Sequence, residues 1–168
     1  MSDAVDAIVG QWTRERPEIA DDLWPVQVLA RAQRLTRYVE TEIKRVIAKH
    51  GLEYGEFDVL TTLQRSGPPY ELTAGALVKA AMVTSGAITN RIDRMEAKGL
   101  VERVRDRADR RTVKIRLTEH GHEVTRAVFP EHLANYAALM ADLGREETER
   151  IGEGLRKVLE ALGDTSIE

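Results

Sequence analysis

The chain has no cysteine among its 168 residues. That excludes disulfides, thiolate metal sites and any thiol nucleophile or thiol redox sensor. Aromatic residues are sparse, at 5%. No apolar run approaches the length of a membrane span, which excludes a transmembrane helix. The opening MSDAVDAIVGQW carries acids and no early Lys or Arg, unlike a secretory signal. A soluble, cytoplasmic protein with no membrane partner is expected. Enzyme signatures are missing too. The four histidines are His50, His120, His122 and His132, and the closest pair, two apart, shares no face of a helix. No Ser-His-Asp arrangement, phosphate loop or dinucleotide fingerprint is present. The expectation is no catalysis, no metal and no cofactor. Hydrophobic content is an ordinary 42%, and the length points to one domain, 1–168, with ample core.

What is present is a local excess of positive charge. Residues 87–118 hold ten bases and five acids, a local +5 inside a chain of net charge -3, so the remainder carries -8. A basic block inside an acidic protein is an electrostatic footprint with a location. Its centre is Asp106-Arg107-Ala108-Asp109-Arg110-Arg111. Before it, residues 100–105 read as a strand. After it, Val113, Ile115 and Leu117 alternate with Lys114 and Arg116, a second strand. The pair is a hairpin with arginines at its tip.

Helical patterns surround the hairpin. Residues 3–16 place Val5, Ile8, Val9 and Trp12 on one face, and Pro17 ends the run. A long helix is predicted over 23–49, stopped by Gly51, and a third over 55–65. Ser66-Gly67-Pro68-Pro69 is a loop. A short helix over 72–79 with Thr73 as its cap comes next. The following helix opens near Thr84 or Ser85, runs to about Lys98 and closes on Gly99. After the hairpin come helices over 119–142, with Pro130 expected to bend or divide it, and 145–162. The predicted class is mainly α with a small β-hairpin wing (α+β). The lobe is a winged helix-turn-helix over about 55–118, flanked by helices at 3–49 and 119–162 whose spare apolar faces suit a homodimer. A helix followed by a basic hairpin is how a winged helix-turn-helix reads DNA. A winged helix that docks protein is the alternative, but such a wing has no need of Arg110 and Arg111 beside Arg105 and Arg107.

Within the recognition helix, Ile88, Ile92 and Met95 fall within about 40° of one another and mark a buried stripe. Gly86, Asn90, Asp93 and Ala97 face the other way, bordered by Thr89 and Arg94. Thr89, Asn90 and Arg94 are expected near bases or phosphates, Ser85 at a phosphate, and Gly86 to allow close backbone approach. Arg91 turns back toward the protein, about 60° from the stripe. It either pairs with a carboxylate such as Asp58 or lines a ligand pocket.

Asp109-x-Arg111-x5-Leu117-Thr118, preceded by Glu96-Ala97-Lys98-Gly99-Leu100-Val101, resembles the wing signature of the MarR family of bacterial regulators. The resemblance implies a homodimeric winged helix-turn-helix on a pseudo-palindromic site in double-stranded DNA, with both termini in the dimer interface. It implies that Asp109 orients the wing arginines and that Arg110 or Arg111 enters the minor groove. Trp12 in an extra N-terminal helix, Asp58, Arg91 33 positions later and Arg103 12 beyond that resemble the urate-responsive, PecS-like subgroup. That implies a site for urate or a related small anion, with Trp12 stacking, Arg91 pairing, Asp58 sensing charge and Arg103 relaying the shift. Trp24 competes for the stacking role. Phenolic and aconitate-like carboxylate ligands are the alternatives.

Overall fold

The computed structural model describes residues 2–81, 88–106 and 109–167. The predicted Ser85 and Gly86 contacts therefore lie outside the described residues. Seven α-helices and three strands are described, in the order α1 (Ala4–Glu15), α2 (Val26–Ile47), α3 (Tyr54–Arg65), β1 (Glu71–Thr73), α4 (Ala74–Ala80), α5 (Ile88–Ala97), β2 (Val101–Arg105), β3 (Val113–Leu117), α6 (Glu119–Leu139) and α7 (Gly144–Ala161). They fall into two compact units, Met1–Glu42 and Ile43–Glu168, with the boundary inside α2.

In the first unit, α1 is capped by Asp3, whose carboxylate accepts from the backbone N–H of Val5 and Asp6. Arg31 donates to both Asp3 and Asp6. These donors hold both carboxyls below their ordinary range, the largest effect on each being a backbone hydrogen bond. The long helix starts later than its apolar pattern implies. Pro17–Leu23 forms a 3-10 turn with proline at its start, and Pro25, lacking an N–H, sits just before α2.

The second unit holds the main core. Ile47, Leu60, Leu63, Leu77, Ile92, Met95 and Val101 are almost wholly buried, each contributing roughly 1.5–3 kcal/mol on burial. Ile92 and Met95 are the predicted stripe of the recognition helix, here α5. The sheet has three antiparallel strands in the order β1-β3-β2. Leu117 pairs with Val101 and Ile115 with both Arg103 and Leu72. The predicted helix at residue 72 is corrected: residues 71–73 are a strand, and α4 begins at Ala74. Three residues are too few to show a period, and β3 offered an unpaired edge that takes them up. Thr73 still caps α4, accepting from Ala76 N–H at 3.1 Å. Pro130 does not divide α6. Pro130 itself is exposed, so its ring displaces no core packing.

Two ties hold the recognition helix in place. The Thr118 hydroxyl donates to Gly99 O at 2.6 Å and accepts from Gly121 N–H at 3.0 Å, so it caps α6 while binding the turn that ends α5. Gly121 allows this approach, since a Cβ there would lie 2.1 Å from Leu100 O. At the other tie, Lys98 donates to Glu56 at 2.7 Å and to Gly51 O at 3.1 Å. Glu56 is wholly buried and also accepts from Glu53 N–H at 2.9 Å.

Candidate DNA interface and effector site

The wing is shaped by Asp109. Its carboxylate accepts from Arg111 N–H and from the Thr112 hydroxyl, each at 3.0 Å. Its own N–H donates to Asp106 at 2.8 Å. The carboxylate thus spends its acceptors on the turn and sets the backbone from which Arg110 and Arg111 project. Both arginines are exposed, and no hydrogen bond or ion pair joins either guanidinium to a described residue. Lys114 stiffens the base of the wing by pairing with Asp106 and with Glu71.

On α5, Thr89 and Asn90 are exposed. Arg94 is exposed as well and reaches Glu53 at 2.8 Å, a surface pair that a phosphate can displace at little cost. Arg103, on β2, bridges back to α5. It donates to Asp93 at 2.5 Å and to Glu96, and its backbone N–H donates to Glu96 at 3.1 Å. The Asp93 carboxylate beside it raises its pKa further above the ordinary guanidinium value. Arg103 therefore clamps the wing strand to the recognition helix.

Arg91 leaves the opposite side of α5. Its guanidinium lies against Gly55 in the first turn of α3, where a Cβ would fall 2.3 Å from Nε and 2.4 Å from Cζ. Its Nη1 is buried and has no hydrogen-bond partner among the described residues. Asp58 follows Gly55 by three positions, so the two share a face of α3. Asp58 also lines a cavity of about 640 Å³ with Tyr54, Phe57, His132, Tyr136 and Asp164. His132 is buried edge-on to Phe57, with its Nδ1 unpartnered among the described residues, and burial lowers its pKa below the ordinary histidine value.

The four predicted effector residues are thus distributed. Asp58 and Arg91 converge on one face of α3. Arg103 is engaged with Asp93 and Glu96. Trp12 belongs to the first unit, half exposed on α1. Sequence reasoning missed Gly55, His132 and the aromatic wall. The available signal was a glycine inside a helical pattern with no turn to make. α7 has no buried residue, although Ile151, Leu155 and Leu159 repeat along one side. No helix among the described residues is long and apolar enough to cross a membrane.

Comparison with known proteins agrees with this geometry. Residues 50–112 match the MarR family. The HTH-type transcriptional regulator PecS of Dickeya dadantii is 33% identical over 154 residues, covering 92% of each chain. Among solved structures, AbsC, a MarR family transcriptional regulator from Streptomyces coelicolor, superposes with a TM-score of 0.72 at 26% identity, over 84% of this chain and 96% of its own. A second MarR family regulator from that organism, solved in complex with DNA, gives 0.71 at 26% identity over 82% and 88%.

Proposed function

The chain belongs to the MarR family of transcriptional regulators, DNA-binding and non-enzymatic, and on that premise we propose that it is a homodimeric repressor released from its operator by urate or a related small anion. One observation carries the effector reading. Arg91 sits on the helix that faces DNA, yet its guanidinium is turned inward with Nη1 buried and unpartnered among the described residues. An unsatisfied buried N–H on a cation is costly, and a planar anion with carbonyl acceptors relieves it. Pulling Arg91 toward such an anion moves α5, and Arg103 carries the shift into the wing. The ligand shifts the equilibrium only by binding the released state more tightly. Trp12 is the stacking indole that the subgroup resemblance implies. Asp58, on the same side of α3 as Arg91, is repelled by a bound anion.

The dimer follows from α7. Most helical stability in proteins comes from packing of an amphipathic face, yet the 18 residues of α7 include no buried one, and its apolar side fits a second copy. Two recognition helices then read half-sites about one helical turn apart. A phenolic effector is the second reading, favoured by the aromatic wall around His132, whose Nδ1 has no partner among the described residues.

Calorimetric titration of urate into the DNA-free protein tests the site. Arg91→Ala is expected to weaken binding by at least ~10-fold, the loss of a charge-assisted pair. Trp12→Ala is expected to weaken it by roughly 3- to 10-fold and Trp24→Ala by less than about 2-fold. Equal affinity across the three variants overturns the assignment, and saturable binding of salicylate in place of urate selects the phenolic reading.

A further inference from the structure

Gly55 is the second residue of α3, and its backbone does not lie in the left-handed region that favours glycine. Glycine is the poorest helix former after proline. Neither turn geometry nor helix propensity therefore accounts for it. Space does. A Cβ at this position would meet Arg91 at three atoms, Nε at 2.3 Å, Cζ at 2.4 Å and Nη2 at 2.7 Å. Gly152 and Gly154 on α7 have nothing within 4 Å of a built Cβ, and at Gly121 on α6 the nearest atom is backbone, Leu100 O, whereas at Gly55 all three are one arginine's side chain.

We propose that Gly55 is a positioning residue of the effector site: its missing side chain is the seat that holds the Arg91 guanidinium flat against α3. This deepens the effector reading above and rests on it. From that seat the guanidinium lies on the face of α3 that carries Asp58, and Asp58 opens onto the 640 Å³ cavity. Any side chain at 55 lifts the guanidinium off α3 and changes where its N–H groups point. The clash falls on the far end of a flexible side chain, so the fold accommodates it by moving Arg91 and leaving the backbone in place. Ligand response and folding are thereby separable at this position, which is unusual for a helix-packing glycine.

The test compares Gly55→Ala with Gly152→Ala on fluorescein-labelled intergenic DNA from upstream of the gene, with urate titrated at fixed salt. Gly55→Ala should keep its DNA affinity within about 3-fold and its secondary structure unchanged, while the urate concentration for half-release rises at least ~10-fold. Gly152→Ala should match the wild type. The double variant Gly55→Ala with Arg91→Ala should behave as Arg91→Ala alone, because both act through one guanidinium. An unchanged urate response in Gly55→Ala, or a double variant worse than Arg91→Ala, overturns the proposal. The seat itself is read without urate from the Arg91 Nε–Hε resonance, assigned by its disappearance in Arg91→Lys. A resonance that moves in Gly55→Ala while the wild type ignores urate keeps the seat and removes the urate reading. A resonance that stays put removes the seat.

Discussion

Replacing Arg110 and Arg111 together by alanine is expected to weaken DNA binding of the dimer by about 100- to 1,000-fold, at roughly 0.7–1 kcal/mol for each of the four lost contacts. Both side chains are exposed at the tip of the wing and neither pairs with a described residue, so their removal leaves the fold's own interactions in place. Thermal unfolding should shift by less than about 2 °C, since surface substitutions usually stay within ~0.5 kcal/mol. The loss should also be general across sequences. Arginines that neutralise phosphates or line a minor groove release counterions, and each lost contact lowers the slope of log affinity against log salt by about 0.9. The slope should therefore fall by roughly 2 per protomer. An unchanged slope and affinity would take the wing out of the interface. Asp109→Ala is a useful companion, because it frees the turn while leaving both charges in the chain.

Lys98→Met is expected to lower the unfolding free energy by about 2–4 kcal/mol, because it strands a buried carboxylate. Glu56 is wholly buried while Lys98 keeps its ammonium partly in water, with 40% of its side chain exposed. That exposure places the effect somewhat below the ~3–5 kcal/mol of fully buried pairs. Glu56 retains the Glu53 N–H on Oε2, which offsets part of the loss; Oε1 has no partner among the described residues even with Lys98 in place. The unfolding midpoint should drop by roughly 5–15 °C. Adding Glu56→Gln removes the stranded charge and should restore more than half of the loss, which a simple packing defect at Lys98 would not permit. A change below about 0.5 kcal/mol in urea denaturation would place the pair with ordinary surface salt bridges.

Much of this architecture is written in local patterns. The stripe of Ile92 and Met95, the cap at Thr73 and the alternation through Ile115 and Leu117 are short-range signals, and they mark the helix-turn-helix and the wing. The Gly99-Leu100 and Leu117-Thr118 halves of the wing signature meet in space, where the Thr118 hydroxyl donates to Gly99 O. What sequence could not show is partnership at a distance. β1 exists because β3 had an edge to offer, and three residues carry no period of their own. Val113 continues the alternation yet is 47% exposed, because the wing outruns the core beneath it. Gly55 carries its meaning only once Arg91, 36 positions away in the chain, lies against it. The apolar side of α7 is legible as a pattern, but the partner proposed for it is a second copy, which the pattern of one chain does not specify.

Fluorescence anisotropy of the protein on its own upstream intergenic DNA, at fixed salt with urate titrated in, joins the DNA interface to the effector site in one experiment. Saturable binding that urate reverses, with the reversal blunted in Arg91→Ala, is the expected result. Tight, salt-dependent binding that is indifferent to urate would contradict the urate switch while leaving a MarR family regulator with a different effector.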